Sequence, residues 1–180
     1  MHSSRLVRPF LAVAAIATAA LGPTAASAGP AGREPAVPAA IRPPAGSVKV
    51  ATYRVTTGFQ IYRCVGGAWG LKGPAAMLRH GEAASRAIYH SAGPTWQSMT
   101  DGSAVTAVKK AESPVPGAIP QLLLEVTGHA GTIGGELSRV SYIQRLHTRR
   151  GLAPAGPCAD GAEQPVAYDA EYVLYEAAQP

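Results

Sequence analysis

Val166-Ala167-Tyr168-Asp169-Ala170-Glu171-Tyr172-Val173-Leu174-Tyr175 alternates between two kinds of side chain. Val166, Tyr168, Ala170, Tyr172 and Leu174 fall on one face, with Asp169 and Glu171 on the other. Successive side chains of an extended chain point to opposite faces, so this period of two predicts a strand with one buried face. Upstream, residues 138–147 alternate again and put Val140, Tyr142 and Leu146 together. Residues 121–127 are largely apolar up to Gly128, with Leu122-Leu123-Leu124 unbroken, the pattern of a strand covered on both faces. Residues 104–108 follow the turn pair Asp101-Gly102, and 87–90 and 69–71 are brief strand candidates. Phe59, Ile61 and Arg63 alternate with Gln60, Tyr62 and Cys64, and Gly58 separates them from the β-rich residues 48–56. One short helical turn is expected at 74–79, because Pro74 suits a first helical position. Strands at this spacing predict an all-β chain: a single β-sandwich or partly closed β-barrel of short antiparallel strands, with little helix.

The other end of the chain reads as an address. Arg5 and Arg8 precede an apolar stretch over 10–21, and Ala26-Ser27-Ala28 offers small residues at a cleavage point. The apolar stretch is about a dozen residues, short of the roughly twenty that cross a bilayer, so residues 1–28 read as a cleaved signal peptide. Residues 29–47, rich in Pro, Ala and Gly, read as a disordered tether. The β domain is expected over 48–176, with a tail at 177–180. Cleavage leaves 14 basic against 11 acidic side chains, a net charge of +3 in place of the whole chain's +5. With no basic stripe interleaved with aromatics, nucleic acid is not an expected partner. No second long apolar run follows, so no membrane insertion is expected after cleavage.

Cys64 and Cys158 are the only cysteines. In an exported chain two cysteines read first as one disulfide. The alternative is a thiol nucleophile or metal ligand, but the pair lacks the C-x-x-C spacing of zinc and redox motifs.

Several segments, in order, carry a family likeness. They are Gly58-Phe59-Gln60-Ile61-Tyr62-Arg63-Cys64 with Trp69, and His90-Ser91-Ala92-Gly93-Pro94-Thr95-Trp96 leading into Asp101-Gly102-Ser103-Ala104-Val105. Next come Ala118-Ile119-Pro120-Gln121-Leu122-Leu123-Leu124, Ile143-Gln144-Arg145-Leu146-His147-Thr148 and Gly151-Leu152-Ala153-Pro154 with Cys158, closed by the 168–175 strand. Together they resemble the secreted domain-of-unknown-function family 3455 (DUF3455) of bacteria and fungi. The resemblance implies an exported protein and no defined activity. Two positions depart from the pattern: Ser91 stands where the family tends to an aromatic, and Arg150 where a Gly is expected. Some members carry a malate dehydrogenase label. Hydride transfer to NAD wants a Gly-rich turn between strand and helix. Gly131-Thr132-Ile133-Gly134-Gly135 sits in a β pattern with no helix after it. Malate dehydrogenase activity is therefore not expected, and no cofactor is.

His90 leads the candidate catalytic residues, since an imidazole holds its proton balance near neutral pH. Asp101 and Glu125 are the carboxylates that would complete a hydrolase-type site. Against this, His90 beside Gly93-Pro94 also suits a turn that bonds backbone. Ser103 lacks the Gly-x-Ser-x-Gly elbow and reads as a turn serine. His90, His129 and His147 have no ligand spacing, and no metal is expected. Arg63 and Arg145 lie among apolar residues. If inward, they need carboxylates, for which Glu125, Asp169 and Glu171 are available. Gln60 and Gln144 raise the same question. Trp69, Trp96 and six tyrosines suit either sugar stacking or a core. The leading expectation is an extracellular binding module. Loops around Trp96-Gln97 and 149–151, with Arg63, Arg145 and Gln144, would meet a glycan, cell-wall component or protein. A hydrolase and a ligand-free structural envelope protein are the alternatives.

Overall fold

Among the described residues, eight antiparallel strands follow one another as an up-and-down meander and close on themselves. They are β1 (Val48–Val65), β2 (Ala68–Arg79), β3 (Ala87–Ser91), β4 (Thr95–Ser98), β5 (Ala104–Val115), β6 (Ala118–Ala130), β7 (Tyr142–Arg150) and β8 (Glu163–Glu176). The structure is a computed structural model that describes residues 36–81 and 85–179. The expected signal peptide and residues 29–35 lie outside the described residues. The all-β expectation holds. The strands are longer than it supposed, up to 18 residues in β1, and pairing of β1 with β8 completes the ring. Closure removes the edges that an open sheet would expose.

The alternation of 166–175 is realised: Tyr168, Ala170, Tyr172 and Leu174 point into the barrel. Leu122 and Leu124 of β6 join them, whereas Leu123 faces outward into a second apolar cluster, so β6 is covered on both faces as expected. In β1 the inward set runs through Ala51, Tyr53 and Val55, then switches phase to Gln60 and Tyr62. A register shift between Val55 and Thr57 causes the switch, because one extra residue swaps the faces of everything after it.

Three local expectations change. Residues 74–79 are not a helical turn but the end of β2, paired to β1 and then to β3. Pro74 is tolerated there because the β3 ladder begins only at Ala75, so no partner needs its missing N–H. Tyr142 and Leu146 do share a face, but Val140 belongs to the loop before β7 and fills the barrel interior with Leu137. The described part of the expected tether is packed. Ala39–Ile41 form one 3₁₀ turn, and Val37 and Ile41 cover Leu123, Leu146 and Val173 on the outer wall.

The loops divide into two ends. At one end, residues 131–141 plug the barrel. Glu136 accepts from Tyr53 Oη (2.7 Å), Arg86 Nε (2.7 Å) and Ser98 Oγ (2.5 Å). Asp101 accepts from Ser103 and from the Glu136 backbone N–H, and Ser103 Oγ accepts from the Leu137 N–H. Gly131-Thr132-Ile133-Gly134-Gly135 belongs to this plug and leads into β7, not a helix. A Cβ on Gly131 would overlap the Gly102 carbonyl oxygen, so its glycine permits two loops to touch. At the opposite end, Cys64 and Cys158 form the expected disulfide, with Cα atoms 5.9 Å apart. It ties the end of β1 to the β7–β8 loop.

Candidate functional site

The barrel encloses a cavity of about 500 Å³ at the end away from the plug. Its inner wall begins with the β3–β4 hairpin. The turn at 92–94 sets His90 directly opposite Trp96, and their rings stack with centroids 4.1 Å apart and planes 10° from parallel. Tyr172 of β8 presents its edge to both rings, at 5.4 and 6.0 Å. Offset stacks and edge-to-face contacts suit the ring quadrupoles, so this trio is a rigid aromatic surface. Ile119, Leu122 and Leu124 line the facing side. Leu71, Pro74, Pro94, Pro120, Leu152 and Ala153 surround the mouth.

Few polar groups enter this lining. His90 Nδ1–H donates to the Thr95 carbonyl (2.9 Å), which leaves Nε2 as the acceptor. Burial lowers the His90 pKa to about 4, and the nearby Arg145 guanidinium pushes the same way, so the ring is neutral at physiological pH. Arg145 of β7 is half-buried and donates twice to the Pro120 carbonyl, from Nε (3.1 Å) and Nη2 (2.8 Å). Tyr62 Oη donates to the Gly151 carbonyl (2.7 Å) and so holds the β7–β8 loop over the mouth. Gly151 has φ +81°, and a Cβ there would lie 2.8 Å from Tyr168 Cβ, so only glycine lets the loop pass this close. Its neighbour Arg150, at the position where the family resemblance implies Gly, also has a left-handed φ of +60°. Its guanidinium pairs with Asp169 at 2.7 Å. Two buried donors, Gln60 Nε2 and Trp96 Nε1, have no hydrogen-bond partner, and both side chains line the cavity. Burial raises the pKa of Tyr62, Tyr168 and Tyr172, which stay neutral.

The sequence candidates separate on this frame. His90, Trp96 and Arg145 meet in the cavity. Trp96 is not on an exposed loop: it is 1% exposed in β4, while Gln97 faces solvent on the outer wall. Asp101 belongs to the plug, and Ser103 and two backbone or hydroxyl donors hold its pKa down to about 2. Glu125 faces outward and pairs with Lys110 at 2.6 Å. The proposed His90–Asp101 and His90–Glu125 pairs are therefore not formed. Arg63 is exposed outside, opposite Glu163. Gln144 is buried outside the barrel, donating to the Ile41 carbonyl and accepting from Tyr175 Oη (2.7 Å). Arg145 points inward without a carboxylate and is served by a backbone carbonyl instead. His129 bonds the Val140 carbonyl near the plug, and His147 is exposed beside Glu171, so neither joins His90. Gln60 and Tyr62 were legible as a polar face of β1, but which side that face took depends on the bulge.

Fold and site together define a closed eight-stranded antiparallel barrel with an apolar, end-opening cavity. The chain belongs to the family described as Protein of unknown function (DUF3455), which matches over residues 44–176. No curated protein and no solved structure matches it.

Proposed function

We propose that this is an exported binding protein that holds one small, mainly apolar molecule inside its barrel. The observation that carries this reading is the cavity itself. Its roughly 500 Å³ lies in the range of small-molecule sites, and a few polar groups sit among many apolar ones, as in such sites. Eight-stranded barrels are just wide enough for one small ligand. Binding would replace cavity water with contacts to the His90–Trp96–Tyr172 surface and to Leu122 and Leu124. The apolar lining suits an apolar-bodied molecule better than a glycan, and the buried position of Trp96 turns attention from the loops to the interior. The leader-like 1–28 segment and the disulfide support export. A ligand-free structural role leaves the shaped cavity without a reason.

N-phenyl-1-naphthylamine, a neutral fluorophore that brightens in apolar surroundings, tests the reading. We expect saturable enhancement at one molecule per chain with a Kd near 1 μM, about −8 kcal/mol. Leu122→Trp, which fills the cavity, should abolish it while circular dichroism and the melting transition remain. No saturable enhancement, or full binding in a folded Leu122→Trp protein, would overturn it.

A further inference from the structure

We propose that the ligand carries a carboxylate-class anion, seated on Arg145 in the wall of the cavity. This rests on the cavity reading above and adds the chemistry of the ligand's head. A guanidinium has five N–H donors and no acceptor. Two N–H groups of Arg145 go to the Pro120 carbonyl, and the Tyr172 side chain stands beside the guanidinium in the same lining. At least two remain, enough for the forked grip that arginine gives a carboxylate. The Pro120 carbonyl holds the guanidinium in place without neutralising it.

Among the described residues, no carboxylate lies within ion-pair distance of Arg145. Those around the barrel are committed elsewhere: Glu125 to Lys110, Asp169 to Arg150 and Glu171 to Arg54. Glu112, at the mouth, pairs with Lys109 at 2.6 Å. A cation beside an apolar, partly desolvated space is costly unless something of opposite charge arrives. The rest of the lining points the same way. Gln60 Nε2 and Trp96 Nε1 are donors in want of an acceptor. The cavity thus has a surplus of donors and of positive charge, next to a flat aromatic surface. Its complement is a molecule with an apolar or aromatic body and an acceptor-only anionic end.

Displacement of N-phenyl-1-naphthylamine by a matched pair of probes tests this: 4-phenylbutyrate, and 4-phenylbutan-1-ol, which keeps the body but lacks the charge. We expect the acid to displace the dye at a concentration at least roughly tenfold lower than the alcohol, the usual scale of a charge-assisted pair. Arg145→Met should bring the acid to the alcohol's level, with each displacement read against that variant's own dye affinity. Equal displacement by both probes in the unaltered protein would overturn the anion assignment and leave the cavity reading standing on the dye. A preference for the acid that persists in Arg145→Met would overturn the role of Arg145. Absence of dye binding would remove both proposals. Should Arg145→Met fail to fold, the comparison of acid with alcohol in the unaltered protein still decides for or against an anion.

Discussion

Lowering the pH from 7.5 to 5.0 should cost the fold about 2 kcal/mol through one side chain, His90. Its imidazole is 3% exposed and stacked on Trp96, with Tyr172 at its edge and Arg145 facing it from β7. A proton added there meets a like charge and no carboxylate. Burial holds the folded-state pKa at about 4, against 6.5 when unfolded. The unfolded chain therefore takes up the proton first as pH falls. Stability from this group is complete above the unfolded value and shrinks as pH drops through 6.5 toward 4. Integration gives about 2 kcal/mol lost at pH 5 and about 3 kcal/mol once the folded pKa is passed. Asp101 is shifted in the same direction, with a pKa lowered from 3.8 to about 2, so its contribution is lost only below the range tested. Urea unfolding of the ligand-free protein reads the effect. With a typical slope of about 2 kcal/mol per molar, the midpoint should fall by about 1 M between the two pH values. His90→Asn keeps an N–H for the Thr95 carbonyl but cannot titrate. Its midpoint is expected to be lower at pH 7.5, yet without the His90 share of the acid shift. An equal loss in both proteins would refute the reasoning, since the burial of His90 would then not be what the proton opposes.

Two further outcomes test how the barrel is held. Replacing both Cys64 and Cys158 by Ser opens a tie between residues 94 apart and should lower stability by about 4–5 kcal/mol in the chain-entropy view. Calorimetry should show a melting point roughly 10–20 °C lower, and two unreactive sulfurs in the native parent on alkylation without reductant. An unchanged melting point would mean that the link constrains nothing. Ile41→Ala removes a fully buried anchor from the outer wall and should cost about 2–5 kcal/mol. Hydrogen exchange should rise in residues 36–47 while dye affinity in the cavity stays the same; exchange unchanged there would show that the segment is held by other contacts.

Much of the architecture was legible because strand periodicity is local. The 166–175 alternation named the inward face of β8, and the unbroken Leu122-Leu123-Leu124 within 121–127 named a strand covered twice. The site was less so. Inward and outward sides of β1 depend on a bulge, and β4, only four residues long, carries too short an alternation to distinguish it from a loop, so the sequence alone puts Trp96 outside. His90 and Asp101 are 11 residues apart in sequence, yet β4 runs from the cavity end to the plug and carries them to opposite ends of the barrel. Ile41 sits in a Pro-rich stretch whose composition predicts disorder, and only the apolar patch formed by β6, β7 and β8 gives it something to cover.

From its sequence alone the chain determined strand identity, the presence of a single covalent tie and the family, since each depends on neighbours a few residues away or on residue type. Only the tertiary structure decided closure, the cavity and a lining guanidinium with no carboxylate beside it among the described residues. Those arise when β1 meets β8 across more than a hundred residues, and no periodicity within one strand specifies which partner will complete the ring.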